Sequence, residues 1–563
     1  MNFARYFHTL RHLRPVQFYG RVWFKQYRGR PGNRPSPRLR ERHGFWQPPC
    51  ARAPSMLDAM TFRFLSTTSQ LTRSQDWNNS SLDKLWLYNL HYFDDLNSAD
   101  AAQRGDWHRA LIDRWIAENP LSQGNGWEPY PTSLRIVNWV KWSLAGNALQ
   151  SNWVHSLAVQ ARWLRKRVEW YLLGNHLLAN AKALAVAGLF FEGEEADRWL
   201  ERGLRILSHE LPAQILKDGG NFERSPMYHA IILEDLLDLI NFAGVFPGRV
   251  SGEQLASWHD STKRMLEWLA VMTHPDGEIA FFNDAAMGIA PTLLELTAYA
   301  GRLGLVGTPG EVGTNRAARV TGPPSCLSGI RQLLDSGYVR LMQGNAVALL
   351  DVAPIGPDYL PGHAHADTLS FELSLFGQRV LVNSGTSCYC VSAERLRQRG
   401  TAAHNTVVVD GQDSSEVWGG FRVARRARPS LELVMQSKDA ACIAASHDGY
   451  KRLPGHNIHR RQWTLSPNDL WIQDTVSRPF KKAQARFHVH PRVQVETQDL
   501  QAARVTLRLP QGPRVQIGMD GATSLAIESV TWHPEFGVAV PTVCIAATFE
   551  TDTLDTRIVW RGQ

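Results

Sequence analysis

Apolar residues recur every three to four positions across residues 80–305, with polar residues at the positions between them. This periodicity predicts amphipathic helices, and Gly or Pro separates one helical segment from the next. Many consecutive helices of similar length favour a helical toroid or a solenoid over a four-helix bundle. The segments read DWHRALIDRWIAENP, SLRIVNWVKWSLAGNALQ, SLAVQARWLRKRVEWYL, HLLANAKALAVAGLFF, ADRWLERGLRILSHEL, MYHAIILEDLLDLINFAG and STKRMLEWLAVMTH.

The pattern changes after a Gly- and Pro-rich stretch at residues 301–328. Short alternating runs such as GYVRLMQ, AVALLDV, LSFELSLFG and RFHVHPRVQVE then follow one another, separated by turn residues. Such runs are typical of an antiparallel β-sandwich. We therefore predict an α+β multidomain chain with a basic arm and linker over residues 1–56, a helical domain over 57–320 and a β-sandwich over 321–563.

The positive charge is concentrated at the N-terminus. Residues 1–52 hold twelve Lys and Arg and one acid, Glu41, which gives +11 and leaves −3 for the rest of a chain whose total is +8. Such a segment can contact an anionic glycan, a membrane surface or nucleic acid. No nucleic-acid motif accompanies it, so we expect a solvated basic segment and no nucleic-acid partner.

No apolar run resembles a signal peptide in residues 1–30, because Arg, His and Lys interrupt each one. No stretch approaches ~18 uninterrupted apolar residues, so no transmembrane helix is expected. These observations predict a cytoplasmic protein and leave a periplasmic or surface-associated one open. Six Cys in 563 residues form neither a disulfide framework nor a zinc-ribbon spacing.

The densest chemical signal is PGHAHADTLSFELSLFG at residues 361–377. If this segment is extended, His363, His365 and Asp367 share one face, which Leu369 and Phe371 continue. Polar groups in line with a core-facing stripe are costly unless they coordinate a metal or bond each other. The alternative to a metal site is therefore a buried hydrogen-bonded cluster.

Three further segments carry candidate side chains. His404 immediately precedes another β run in HNTVVVDG, and Asn175 and His176 begin a strongly apolar helix. In ERSPMYH, Ser225 is a good helix N-cap and Tyr228 falls in the first turn. The free N–H groups there favour an anion, which predicts a lowered pKa for a Tyr that acts in proton transfer.

Together these segments resemble the heparinase II/III-like polysaccharide lyases. The resemblance rests on GNHLLANAKALAVAGLFF, FERSPMYH, PDGEIAFFND, GHAHADTLSFEL with VLVNSGTSCY, and HNTVVVDG, in the family's order. It implies an incomplete α/α toroid followed by an antiparallel β-sandwich, with glycan bound in the cleft between them. It also implies an enzyme that breaks a uronic-acid-containing, acidic polysaccharide by β-elimination.

The resemblance assigns roles to individual residues. Asn175 and His176 match the positions that bind and neutralise the uronic carboxylate, and Tyr228 matches the Tyr that protonates the leaving oxygen. In some members that Tyr also abstracts the C5 proton. His363 matches a His that takes part as a base or stabilises charge. Arg135 matches a cleft-lining segment, while Tyr130 and Trp139 are expected to stack on sugars.

Family members often carry a zinc ion in the sandwich beside the active site, and no organic cofactor is expected. The matching ligands are His365, Asn383 and His404, and Asn383 stands where the family has Asp. A neutral amide is a poorer zinc ligand than a carboxylate. Three outcomes remain open: a weakly held metal, Asp367 in place of the missing carboxylate, or no metal.

Two other functions fit parts of the sequence. A glycoside hydrolase on the same toroid would need two carboxylates about 5–10 Å apart, for which Glu223, Asp276 and Asp284 are candidates. A catalytically silent glycan-binding protein would use the same cleft without chemistry.

Overall fold

The computed structural model describes residues 3–27, 29–306 and 329–561. The predicted boundary at residues 320/321 lies outside these described residues. Helices occupy the first part of the chain, and one more lies inside the sandwich domain. They are α1 (Phe3–Leu10), α2 (Pro15–Gln26), α3 (Lys84–Tyr92), α4 (Gly105–Glu118), α5 (Pro129–Leu144), α6 (Ser151–Lys166), α7 (Gly174–Phe190), α8 (Glu194–Gln214), α9 (Pro226–Val245), α10 (Gly252–Val271), α11 (Leu293–Arg302) and α12 (Ala393–Arg399).

The predicted helical toroid is confirmed. Its centre is formed by α7 and α9, which are buried along almost their whole length because they are apolar on every face. The amphipathic α8 packs against α7 with its apolar stripe. Two glycines allow this close approach: a Cβ at Gly188 would lie 2.4 Å from the backbone N of Leu200, and one at Gly203 2.6 Å from that of Ala185.

The second domain is the predicted antiparallel β-sandwich, and a small hairpin of two strands precedes it in the toroid. The strands are β1 (Thr61–Phe64), β2 (Thr67–Gln70), β3 (Gly329–Leu333), β4 (Tyr338–Gln343), β5 (Ala346–Asp351), β6 (Phe371–Leu375), β7 (Gln378–Leu381), β8 (Val407–Val409), β9 (Val417–Trp418), β10 (Arg422–Val423), β11 (Pro429–Gln436), β12 (Ala441–His447), β13 (His459–Leu465), β14 (Asp469–Val476), β15 (Ala483–His488), β16 (Gln494–Asp499), β17 (Arg504–Arg508), β18 (Arg514–Asp520), β19 (Ser524–Trp532), β20 (Val540–Phe549) and β21 (Thr553–Trp560).

The sandwich has two layers. One layer is an eight-stranded sheet in the order β11-β12-β13-β14-β21-β18-β17-β16. The other joins the sheets β3-β4-β5-β6-β7 and β19-β20-β15-β8, because the backbone N–H of Val382 donates to the carbonyl of His488 where β7 and β15 end. Alternate side chains such as Phe371, Trp463 and Phe487 fill the apolar core between the layers.

Strand β6 has two buried faces, since its polar face packs on the toroid. The imidazole of His274 contacts Ser374 Oγ at 2.8 Å and Glu372 Oε2 at 2.9 Å, and the N–H of Phe281 donates to the same Glu372 oxygen. The sequence predicted the alternation along this strand. The strand begins at Phe371, however, so residues 361–370 are loop rather than the extended segment that the sequence predicted.

Residues 29–56, predicted as a solvated arm and linker, lie along the toroid. Arg40 donates to the carbonyls of Leu189 and Phe191, and Arg42 donates to the carbonyl of Ser143. These carbonyls lie at the C-terminal ends of α7 and α5, where backbone acceptors have no partner within the helix. The arginines of this segment therefore complete the helix ends. Among the described residues, no helix is both long and apolar enough to cross a bilayer.

Candidate functional site

The predicted catalytic residues converge where the toroid meets the sandwich. Three residues with positive φ lie just before the segments that carry site residues: Leu173 (φ 61°), Arg224 (φ 58°) and Asn283 (φ 57°). Such conformations are strained for residues with a side chain and tend to cluster at functional sites. Here each one ends a loop just before the helix start or the turn that presents a polar side chain.

The first turn of α7 presents Asn175 and His176, both half-buried. His176 Nδ1 lies 3.1 Å from the carboxylate of Glu169, and its ring lies 4.5 Å from that of Tyr130 between centroids. Burial alone would lower the pKa of His176, but the neighbouring Glu169 outweighs burial and raises it. Glu169 therefore stabilises the cationic form of this imidazole.

Tyr228 lies in the first turn of α9, as the sequence predicted. Its backbone N–H donates to Ser225 Oγ, and its phenol lies 3.0 Å from the hydroxyl of Tyr389. The predicted lowering of its pKa is wrong: burial and the neighbouring Tyr389 raise the pKa of Tyr228 well above its usual value. Desolvation of the phenolate outweighs the helix dipole. Tyr228 is consequently a proton donor in the free protein.

His363 lies beside this phenol, with the two ring centroids 4.0 Å apart. Its Nδ1 lies 2.9 Å from Asp284 Oδ2. Burial opposes ionisation of Asp284, but Arg395 and the two neighbouring imidazoles, His363 and His365, hold the pKa of this carboxyl well below its usual range. A carboxylate can only accept, so Nδ1 of His363 carries a proton, and in the neutral ring Nε2 is the nitrogen with the lone pair.

The same carboxylate sets the tautomer of His365. Asp284 Oδ1 accepts from His365 Nε2 at 2.8 Å, which leaves the lone pair of Nδ1 facing His404 Nε2 at 3.3 Å. Burial lowers the pKa of His365 to about 4 and that of His404 to about 3, so both rings are neutral, as metal ligation requires. A carboxylate behind a ligating imidazole is the usual outer partner of such a ligand.

These two histidines and Asp367 form a group able to hold a metal ion. Their ligand atoms all lie within 4.8 Å of one another. Two imidazole nitrogens on one tetrahedral zinc ion lie about 3.3 Å apart, which is the distance between the His365 and His404 nitrogens. The residues present therefore fit a small divalent cation, with Asp367 as the carboxylate ligand.

Asn383 does not join this group, which corrects the predicted ligand set. Its amide nitrogen donates to the carbonyl of Phe281 at 2.9 Å, and its amide oxygen accepts from the N–H of Asn405 at 3.1 Å. Both ends of the amide are thus occupied by backbone groups. Asn383 fixes the loops around the site and leaves the ligand position to Asp367.

Arg135 and Trp139 are not in the cleft, which corrects two predicted glycan contacts. Both are fully buried, with no exposed surface. The guanidinium of Arg135 lies over the ring of Trp115 and donates to Gln160 and to the carbonyl of Gly126. Helix α5 turns this face into the toroid core. The predicted contact residue Tyr130 does line a pocket, together with Asn97, Lys182 and Asp235.

Sequence reasoning missed four residues of the site. Glu169 and Arg395 lie outside the recognised motifs, and Tyr389 lies just inside one whose other residues drew attention. For Glu223 the sequence suggests only the role of a hydrolase carboxylate. It lies 3.7 Å from His363 Nε2, and burial raises its pKa despite the opposing effect of His363.

Two family models match the chain. The model described as heparinase II/III N-terminus matches residues 100–300, and the one described as heparinase II/III-like, C-terminal, matches residues 327–561. A heparin-sulfate lyase of Bacteroides stercoris is 27% identical over 253 residues, which are 43% of this chain and 36% of that protein. FtsZ-localized protein C of Caulobacter vibrioides is 24% identical over 441 residues, 74% of this chain and 71% of that protein.

The fold is also found in solved structures. The crystal structure of heparinase III matches with a TM-score of 0.68 at 18% identity, over 86% of this chain and 78% of that one. The chain spans less than half the length of the heparin-sulfate lyases that it matches by sequence, at 36%, 47% and 40%.

Proposed function

Because this chain belongs to the heparinase II/III-like family, we propose that it is a polysaccharide lyase that cleaves a uronic-acid-containing glycan by β-elimination. The observation that carries the proposal is the contact between the Tyr228 phenol and the His363 imidazole at the junction of the two domains. An acid and a base meet there, beside a third group suited to an anion. β-Elimination needs all three.

The first requirement is to neutralise the uronic carboxylate, because this makes the C5 proton acidic enough to remove. Glu169 stabilises the cationic form of His176, and Asn175 precedes it in the same helical turn. An imidazolium and an amide at the helix start offer charge and hydrogen-bond donors to a carboxylate. They stabilise the enolate-like intermediate that follows proton loss.

The second requirement is a base at C5 and an acid at the leaving oxygen. In its neutral form His363 presents the Nε2 lone pair, because Asp284 accepts the hydrogen bond from Nδ1. Tyr228 keeps its phenol proton in the free protein. In the proposed reaction, His363 takes the C5 proton and Tyr228 protonates the 4-linked oxygen as its bond to C4 breaks. The product is an unsaturated uronic acid and a new chain end.

The group of His365, Asp367 and His404 is proposed to hold one zinc ion. When bound, such an ion supplies a positive charge that stabilises the loop carrying these residues beside His363. His365 and His363 both bond the carboxylate of Asp284. Fixing the position of the His365 ring therefore also helps to fix that of His363.

The hydrolase alternative is less well supported. Asp284 is fully buried and bound by Arg395, and Asp276 pairs with Arg379 at 2.7 Å. Neither carboxylate is free to flank a glycosidic bond. Of the three candidate carboxylates Glu223 alone would remain, whereas glycoside hydrolysis by the usual route needs two carboxylates.

One experiment separates the three functions. The protein is incubated with a panel of polyuronides and glycosaminoglycans while near-ultraviolet absorbance and reducing ends are both measured. A lyase produces reducing ends together with the absorbance of a conjugated C4–C5 double bond. Reducing ends without absorbance would indicate a hydrolase, and binding without either signal would indicate a silent glycan-binding protein.

A further inference from the structure

The N-terminal hairpin, residues 3–27 with helices α1 and α2, exposes a row of large apolar side chains. On α2 these residues recur at helical spacing along one face, as Phe18, Tyr19, Val22 and Trp23. Trp23 and Tyr19 are each 64% exposed, and on α1 Phe3 and Phe7 are 79% and 63% exposed. A solvent-facing stripe of aromatic residues is costly in water and marks an interaction surface.

The opposite face of the hairpin is fixed to the body of the protein. Tyr6 packs on Trp418 with ring centroids 4.9 Å apart, and Gln17 donates to the carbonyl of Tyr359. Phe24 packs on Tyr171 of the toroid at 4.7 Å. The inner faces are thus already partnered by both domains, and among the residues that the structure describes the outer stripe remains largely exposed.

The hairpin is also basic throughout. Residues 3–27 contain five Lys and Arg, and no Asp or Glu. Arg11, Arg14, Arg21 and Lys25 are exposed beside the aromatic stripe. A surface that combines aromatic rings with cations and excludes acids matches the boundary between anionic headgroups and acyl chains.

We propose that the N-terminal hairpin docks this protein on an anionic phospholipid surface. The twelve residues of α2 span about 18 Å, less than the ~30 Å hydrocarbon core, so the helix would lie in the plane of the interface. Its rings enter the headgroup boundary while the guanidinium groups remain at the phosphates. This inference is independent of the proposed lyase activity.

Charge favours a membrane over a second copy of the chain as the occupant. A symmetric dimer through this face would bring the same basic residues of two hairpins together, and like charges at an interface repel each other. A soluble polyanion would satisfy the cations and leave the aromatic stripe in water. An anionic bilayer would pair the basic residues with its headgroups and bury the aromatic side chains at the acyl boundary.

The test is co-sedimentation of the full chain with vesicles of phosphatidylcholine alone, or of phosphatidylcholine with phosphatidylglycerol. We expect binding to the mixed vesicles that weakens as salt is raised. The variants F7S/W23S and R21Q/K25Q should each lower the partition coefficient about tenfold. Phe45, which is 89% exposed outside the hairpin, provides the matched control F45S, which should bind like the wild type.

Several results would overturn the proposal. One is the absence of binding to the anionic vesicles, and another is unchanged binding by F7S/W23S. A third is a wild-type dimer that becomes monomeric in F7S/W23S, because the stripe would then belong to a second copy. A different result would support the membrane as occupant. In that case F7S/W23S still binds a soluble polyanion, and the wild type binds vesicles only when they contain anionic lipid. Thermal melting of each variant checks that the fold is intact.

Discussion

Asp284 Oδ2 and His363 Nδ1 are 2.9 Å apart, and this hydrogen bond fixes which nitrogen of the candidate base carries a proton. The second oxygen of the same carboxylate does so for His365. Arg395 binds both oxygens from behind and keeps the carboxyl ionised. One buried acid thus sets which nitrogen is protonated in the candidate base, His363, and in His365 of the candidate metal group.

Asp284→Asn should therefore damage both stability and turnover. The substitution leaves the guanidinium of Arg395 buried without its counter-charge, which costs about 3–5 kcal/mol. Adding Arg395→Gln should restore part of the melting temperature. It should not restore kcat, because an amide can hold either tautomer of His363. Recovery of kcat in the double variant would show that Asp284 acts through folding alone.

Tyr228→Phe should lower kcat by about 10²–10⁴-fold while leaving the melting temperature nearly unchanged. The ring that packs on His363 is kept, and only the proton donor is lost. Initial rates of the new ultraviolet absorbance measure the effect. Tyr299→Phe is the control, since it removes another buried phenol that bonds Asp238. It should retain the wild-type rate.

Glu169→Gln should change how substrate binding depends on pH. In the wild type, Glu169 raises the pKa of His176 against the effect of burial. Without it, burial lowers that pKa, so the cation that binds the substrate carboxylate is lost at a lower pH. KM should therefore begin to rise at a measurably lower pH than in the wild type. An unchanged profile would remove His176 from carboxylate binding.

The pair of Glu169 and His176 also makes the stability of the protein depend on pH. The pKa of His176 is raised in the folded protein, so the stabilisation by Glu169 is fully present below the unfolded imidazole pKa of about 6.5. It is lost as pH rises through the folded value. Glu169→Gln should therefore reduce the melting temperature more at acidic pH than at alkaline pH.

Elemental analysis of protein purified without chelator should find one metal per chain. His404→Ala and Asp367→Asn should each lower this content, because both belong to the candidate group. Asn383→Asp should not raise it. That change removes the amide donor to Phe281 and places a new charge beside buried groups, so it should lower the melting temperature instead. Tighter metal binding by Asn383→Asp would restore the ligand set predicted from sequence.

The helices and their caps were predictable because local pattern determines them. Ser225 and Tyr228 occupy the cap and the first turn that the sequence indicated. The pKa of Tyr228 was not predictable, since it depends on burial under Tyr389 and His363. Residues 161 and 135 positions away in the chain decide it.

The contents of the cleft were harder to predict than the fold. Arg135 lies in a recognised segment, and its charge suggested a contact with an anionic glycan. In the structure its guanidinium instead donates to backbone carbonyls inside the toroid. Sequence does not reveal which side of an apolar helix faces the core when both sides are buried.

The metal group shows the same limit. His363, His365 and Asp367 were expected on one extended face, but they lie in a loop in which Leu369 adopts φ 62°. Loop geometry lets His363 face Tyr228 while His365 faces His404. An alternating strand could not have divided neighbouring side chains in this way.

The polar face of β6 has a consequence for how the molecule unfolds. Glu372 and Ser374 are buried against His274 and Phe281 of the toroid, so separating the domains would leave a carboxylate and its partners without hydrogen bonds. That cost ties the melting of one domain to that of the other. Calorimetry should record one cooperative transition, and Glu372→Gln should begin to split it into two.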